Sequence, residues 1–294
     1  MRRDHFVVGT AATLSALTLP IGICAAIDPA TAFKEIESET QGRLGVVITK
    51  PGTKPTSYRG DERFPMCSTF KVLAVSAILS RVDSGDEILD RHVRYSSADL
   101  LDYAPITREN VRHGFMTVRS LCQAAIQYSD NTAANLLLGV LGGPQDVTAF
   151  ARAHGDVTTL LSRTEPALNS GVPGDVRDTT SPSAMAQDLK TLLLGEALKR
   201  ASQRLLVEWM IGCRTGDACL RAGIPRSWMV GDKTGLGGRH NAAGDSDTRN
   251  DVAIVWPPGG SPFIVAAFLT ESKVSAERRD AALAAVGRTA SSLA

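Results

Sequence analysis

The sequence predicts an α/β fold of the α+β kind: an antiparallel five-stranded sheet with flanking terminal helices, plus an inserted all-helical region. Three observations carry the prediction. Apolar, β-branched runs gather towards the two ends of the chain, the middle shows helical spacing of apolar residues, and Gly, Pro, Asn and Asp punctuate the boundaries. With 294 residues, 43% hydrophobic and 21% charged, the chain can bury a substantial core in one large domain or two intimate ones.

Residues 1–26 read as a cleavable export signal. Arg2 and Arg3 precede an apolar run, and Cys24-Ala25-Ala26 fits a small-x-small cleavage site. The paired arginines admit the twin-arginine route as well as Sec. Cleavage after Ala26 leaves 30 basic and 30 acidic residues. With no basic patch or charge run, nucleic acid and anionic membranes are excluded as partners. No later apolar run reaches the length of a membrane span. The expected product is an exported, periplasmic monomer with no membrane attachment after cleavage.

The first strand is expected at 44–49, turned by Pro51-Gly52 so that the stretch around Tyr58 returns antiparallel. A helix over 68–82 ends at Gly85. Helices over 118–127 and 132–140 flank Ser129-Asp130-Asn131, and Gly142-Gly143-Pro144 stops the second. Further helices are expected at 183–194 and 201–211. Strands follow at 228–232, 252–256 and 263–270, and an Ala-rich helix at 276–293 closes the chain. A sheet region (27–61 and 213–294) thus encloses a helical region (62–212), and motifs from both converge on a cleft between them.

Two loops are long. The first, 160–180, has Arg163 and Asp178 near its ends, placed to close it as an ion pair; loops of this length in compact domains are usually functional. The second, 237–250, is rich in Gly, Asp, Asn and Arg. It contains His240, Asp245 and Asp247, and a solvated loop is favoured over a metal site. Four cysteines remain after cleavage. Cys213 and Cys219 are near enough in sequence to pair, although the spacing demands no disulfide, and Cys122 in an apolar run reads as a buried free thiol. No His-x-x-x-His or Cys-x-x-Cys cluster is present, so neither metal nor organic cofactor is expected.

Four motifs carry the chemistry. In Ser68-Thr69-Phe70-Lys71, residues three apart share a helix face, so Lys71 reaches the Ser68 hydroxyl, and the helix start favours an oxyanion. Alone, this motif is equally an N-cap serine beside a solvated lysine, and roughly one Ser-x-x-Lys arises by chance in such a chain. Ser129-Asp130-Asn131 offers a second hydroxyl, or simply a capping turn. Glu165-Pro166-Ala167-Leu168-Asn169 offers a carboxylate and an amide able to hold one water, or a solvated loop glutamate. Lys233-Thr234-Gly235 offers a cation, a hydroxyl and a strand backbone open to a ligand, or a strand end. Each of the last three is expected by chance only about a few times in a hundred such chains, so their joint occurrence in order is not coincidence.

This set resembles that of the class A serine β-lactamases, within the penicillin-recognising serine hydrolases. The similarity extends through Asp102-Tyr103-Ala104-Pro105, Thr215-Gly216-Asp217 and Arg221-Ala222-Gly223, from about Gln41 to the C-terminus. The resemblance implies hydrolysis of β-lactam antibiotics through an acyl-serine intermediate. Ser68 would be the nucleophile, with Lys71, or Glu165 through water, taking its proton. Ser129 would relay a proton to the departing lactam nitrogen, and Glu165 with Asn169 would activate the deacylating water. Lys233 and Thr234 would hold the substrate carboxylate, and Asn131 its amide carbonyl. Gly235 would admit the ligand to the strand, the N–H groups of Ser68 and Leu236 would form the oxyanion hole, and Tyr103 would stand at the cleft rim. The same resemblance makes Asp130 structural, 160–180 the Ω loop and Glu165–Pro166 a cis peptide. An additional carboxylate-binding arginine is implied, with Arg221, Arg239, Arg278 and Arg279 as candidates. Leu236 and Gly237 depart from many relatives, and Gly237 removes a disulfide partner for Cys67. The alternatives are a penicillin-binding DD-peptidase, which lacks the glutamate base, and a β-lactam sensor domain without turnover.

Overall fold

Residues from both ends of the chain build one sheet, as the distribution of β-branched runs requires. The structure is a computed structural model that describes residues 28–240 and 246–294; the signal at 1–26 and Asp245 lie outside the described residues. In chain order the elements are α1 (Pro29–Thr40), β1 (Arg43–Thr49), β2 (Thr56–Tyr58), β3 (Phe64–Pro65), α2 (Phe70–Ser84), β4 (His92–Arg94), α3 (Pro105–Asn110), β5 (Phe115–Thr117), α4 (Val118–Gln127), α5 (Asn131–Leu141), α6 (Pro144–Ala153), β6 (Thr179–Thr180), α7 (Pro182–Leu193), α8 (Arg200–Ile211), α9 (Leu220–Gly223), β7 (Met229–His240), β8 (Ser246–Trp256), β9 (Phe263–Thr270) and α10 (Ala276–Ser292).

The main sheet runs β2-β1-β9-β8-β7 and is antiparallel throughout. Every residue of the central strand β9 is buried, because both of its faces are covered. Phe263, Val265, Ala267 and Leu269 pack in the layer that holds Phe33 of α1 and Leu283 and Val286 of α10. The alternate residues Ile264, Ala266 and Phe268 join the helical core with Met185 and Leu189 of α7. Each of the larger of these side chains, Val, Ile, Leu, Met and Phe, contributes about 1.5–3 kcal/mol by leaving water. Helix α2 is buried on all sides from Phe70 to Leu79, which seats its start in the middle of the molecule; Gly85, at φ 89°, ends it.

Several elements differ from the expectation. Helices α1, α3 and α6 had no assignment, although Pro stands at N1 of each. The stretch 237–250 is not a solvated loop where it is described. Strand β7 continues to His240 and β8 begins at Ser246, with Leu236 opposite Arg249 and Gly237 opposite Thr248. These extensions of the strands expected at 228–232 and 252–256 escaped notice because Asp247, Thr248, Asn250 and Asp251 are polar yet buried. Their partners are internal: Asp247 accepts from the Arg239 N–H at 3.1 Å, and Thr248 Oγ1 meets Thr270 Oγ1 at 2.7 Å.

All four described cysteines are free and buried, so Cys213 and Cys219 do not pair. Cys213 Sγ lies 3.4 Å from Thr215 Oγ1, and Cys219 donates to Asp280 at 3.3 Å. Among the described residues no helix is long and apolar enough to cross a membrane.

Candidate active site

Ser68 sits in a 3₁₀ turn, Cys67–Thr69, immediately before α2. Two distant segments hold that turn. Asn250 of β8 donates to the carbonyls of Pro65 and Met66 at 2.8 and 3.1 Å, and the Met66 N–H donates to the Asp178 carbonyl at 2.9 Å. Strand β7 presses close because Gly235 has no Cβ; one would stand 2.8 Å from the Met66 carbonyl oxygen. Gly237 makes a similar approach, where a Cβ would meet Cys67 Sγ at 2.7 Å and Asn169 Cβ at 2.9 Å.

Lys71, one turn along α2, is fully buried and surrounded by oxygen. Its Nζ donates to Ser68 Oγ at 2.9 Å, the Ser129 carbonyl at 2.8 Å and Asn131 Oδ1 at 2.7 Å, and lies 3.1 Å from Glu165 Oε1. Burial pulls its pKa below the ordinary lysine value, against the opposing pull of the Glu165 carboxylate. Ser129, at φ 58° in the turn between α4 and α5, places its Oγ between two lysines. Lys233 Nζ donates to it at 3.0 Å and Lys71 Nζ at 3.3 Å. Burial, reinforced by the Lys71 charge, lowers Lys233 to about 8. Asp130 shapes this turn. It caps α5 through the Ala133 N–H at 2.8 Å and accepts from Ile106 and Thr107 N–H at 3.0 and 2.8 Å.

Glu165 reaches the same point from the opposite side. The loop carrying it is closed by Arg163 and Asp178, 2.5 Å apart, and the Glu165–Pro166 peptide is cis. Asn135 fixes the glutamate backbone with a reciprocal pair of 2.9 Å hydrogen bonds. Glu165 Oε2 accepts from Asn169 Nδ2 at 2.5 Å, while Oε1 lies 3.4 Å from Ser68 Oγ. Asn169 Oδ1 is buried and has no donor among the described residues.

The resulting cleft has a volume of 370 Å³ and is lined by Ser68, Tyr103, Ser129, Asn131, Asn169 and Thr234, with Leu236, Thr215 and Arg249 completing the wall. Lys71, Glu165 and Lys233 lie behind this wall as buried groups. Of the eleven site residues expected from the sequence, seven line this cleft, Lys71, Glu165 and Lys233 lie behind it, and Gly235 packs against the nucleophile turn. Tyr103 and Leu236 expose their side chains at its mouth.

The four candidate arginines do not line it. Arg221 pairs with Asp232 and Asp217, Arg239 with Asp247, and Arg279 is buried and donates to the Val274 carbonyl, while Arg278 reaches the Glu39 carbonyl. The arginine on the cleft wall is Arg249 of β8, whose Nε pairs with Asp280 at 2.6 Å and whose Nη2 donates to the Thr215 carbonyl at 3.2 Å. It was missed because the first part of β8 falls in the stretch 237–250, expected as a loop. Asn135 was missed too, although it lies four residues from Asn131 and so on the same helical face. Thr215 joins the wall by bonding Thr234 hydroxyl to hydroxyl at 2.6 Å.

A nucleophilic serine, two buried lysines, a second serine and a carboxylate around one cleft define a serine acyl hydrolase that works without histidine. Comparison with known proteins narrows this class. The model of the β-lactamase enzyme family matches residues 28–293. The β-lactamase L2 of Stenotrophomonas maltophilia is 45% identical over 306 residues, spanning 99% of this chain and 98% of that one. The β-lactamase CTX-M-8 of Citrobacter amalonaticus is 48% identical, spanning 86% and 84%. Among solved structures, an ancestral class A β-lactamase, GNCA, superposes with a TM-score of 0.86 at 52% identity, spanning 91% of this chain and all of that one. A putative class A enzyme from Rhodopseudomonas palustris also gives 0.86, at 48% identity, spanning 90% and 99%. The chain belongs to the class A serine β-lactamases. Its activity is the hydrolysis of β-lactams, and its substrate is a small molecule carrying that ring.

Proposed function

We propose that the cleft between the sheet region (27–61 and 213–294) and the helical region (62–212) runs this hydrolysis with a defined division of labour. Ser68 Oγ attacks the lactam carbonyl, and its proton passes to Lys71, whose Nζ lies 2.9 Å away and whose pKa burial lowers. The new C–O bond leaves the carbonyl oxygen negative, facing the N–H groups of Ser68 and Leu236. When the C–N bond breaks, Ser129 gives its hydroxyl proton to the nitrogen and regains one from Lys71. Glu165 and Asn169 hold a water against the acyl carbon. Glu165 takes a proton from that water as it attacks, and the proton returns to Ser68 by way of Lys71 as the acid product leaves. Thr234, Lys233 and Arg249 receive the substrate carboxylate, the side-chain amide of Asn131 receives the amide carbonyl, and Tyr103 flanks the substrate at the rim.

The observation that carries this reading is the position of Glu165. Its Oε1 lies 3.4 Å from Ser68 Oγ and 3.1 Å from Lys71 Nζ, and Asn169 holds its other oxygen. A water base beside the nucleophile separates turnover from the mere acylation of a DD-peptidase or sensor. Removal of 1–26 by export machinery releases a periplasmic monomer without nucleic-acid or membrane partners. The test is to mix the processed protein with benzylpenicillin and follow hydrolysis and intact mass together. Rapid turnover with no persistent adduct is expected; a stable adduct on the unaltered protein contradicts it.

A further inference from the structure

Away from the cleft, Asp156 and Asp188 bring two carboxyl groups together inside the protein. Asp156 follows α6 and Asp188 lies in α7; they are 7% and 4% exposed, and their side chains are hydrogen-bonded to each other. Asp156 Oδ1 accepts from the Thr158 and Thr159 N–H groups at 2.6 and 3.0 Å. Among the described residues no group outside this pair donates to the Oδ2 atom of either. Two ionised carboxylates so placed would repel across a poorly solvated gap, whereas one proton between them turns the contact into a charge-assisted hydrogen bond. The backbone donors and Arg152 favour the charge on Asp156. Arg152, on α6, lies 4.0 Å from Asp156 Oδ1 and donates to the Asp156 carbonyl. Among the described residues no ion pair reaches Asp188.

We propose that Asp188 is a positioning residue for deacylation: as a carboxylic acid it donates to the Asp156 carboxylate and fixes the incoming arm of the Ω loop that carries Glu165. The connection is short. From Asp156, the chain is pinned by Thr159 Oγ1 to Thr180 Oγ1 at 2.7 Å and by the Leu160 N–H to the Thr179 carbonyl at 2.9 Å. Arg163 and Asp178 close the next step, and Glu165 lies two residues on. Because α7 begins just after Thr180, the acid pair ties the arm entering the loop to the helix leaving it.

Burial, and then the neighbouring Asp156 charge, push Asp188 up to about 9. Burial works against Asp156 as well, but the hydrogen bonds from Thr159, Thr158 and Asp188 hold it below the usual carboxylate range. The folded protein therefore keeps a proton on Asp188 that the unfolded chain releases near pH 4. The contribution of Asp188 to stability therefore declines as pH rises from about 4 to about 9, and above that the pair repels. That Asp188 bears on turnover rests on Glu165 being the deacylating base; that it is protonated does not.

Asp188→Asn supplies the same donor at every pH, and Asp188→Ala removes it. Near pH 7, the infrared difference between wild type and Asp188→Asn is expected to contain the C=O stretch of a protonated carboxyl group. The ratio of wild-type to Asp188→Asn kcat cancels every titration the two proteins share. It is expected to stay within about twofold up to about pH 8 and to fall about threefold or more by about pH 10, with the KM ratio unmoved. Asp188→Ala is expected to lower kcat at every pH, a loss that Asn rescues. Absence of the infrared band overturns the proposal. A flat kcat ratio also overturns it, provided Glu165→Gln traps the acyl-enzyme. If Glu165→Gln does not trap it, the Glu165 assignment alone fails, and the infrared band still decides where the proton lies.

Discussion

At the scale of single residues, the site is defined by which polar groups are buried together. Arg249 shows how that decides binding. It lines the cleft with its guanidinium clasped by Asp280 and the Thr215 carbonyl, so its orientation is set before a substrate arrives. A charge-assisted hydrogen bond contributes about 1.5–3 kcal/mol. Arg249→Ala is therefore expected to raise KM for benzylpenicillin about ten- to a hundredfold and to change kcat by no more than about threefold, as steady-state kinetics will read. The same substitution at Arg221 or Arg279, which do not line the cleft, is expected to act on stability instead. Ser68, Lys71, Ser129 and Glu165 were legible because their motifs have fixed spacing. Arg249 and Asn135 were not, since a lone arginine or asparagine becomes meaningful only when a strand or helix face aims it at the cleft.

At the scale of elements, backbone approach matters as much as side chains. Strand β7 touches the nucleophile turn only because Gly235 leaves room, and in the proposed mechanism that contact brings the Leu236 N–H to the oxyanion. Gly235→Ala would set a methyl 2.8 Å from a backbone carbonyl and force the strand outward. The expected outcome is a fall in kcat of about a hundredfold, as for loss of one oxyanion donor, with secondary structure by circular dichroism unchanged. Helix α5 and strand β9 were readable from periodicity because their environments are uniform. Strand β8 was not. Its first half buries Asp247, Asn250 and Asp251, which brace the hairpin, the nucleophile turn and α9, so the alternation that marks an ordinary strand is missing. Sequence pattern fails where polar residues are needed inside.

At the scale of the whole molecule, the two ends of the chain meet in one sheet and the helical segment closes over its edge. That enclosure lowers Lys233 to about 8, since burial disfavours its charge. Below about pH 8 the ammonium is present to receive a carboxylate, and above it the charge is lost. For benzylpenicillin, kcat/KM is expected to fall as pH rises through this range. The methyl ester of the same penicillin, which has no carboxylate to bind, is expected to show a weaker dependence, so equal profiles for the two would remove carboxylate binding from Lys233. The proposed export rests on the sequence alone. That the two ends share one sheet was legible, because β-branched runs at both termini can bury their apolar faces only by pairing with each other.

The central claim is that Ser68 carries the acyl group and Glu165 removes it. Intact-mass spectrometry of the Glu165→Gln variant, seconds after mixing with benzylpenicillin, tests this most directly. The expected result is a nearly stoichiometric adduct of one penicillin mass, mapped to the peptide containing Ser68 and discharged about a hundred- to ten-thousandfold more slowly than wild-type turnover. A variant that turns over at the wild-type rate with no adduct, or an adduct on another residue, contradicts the account.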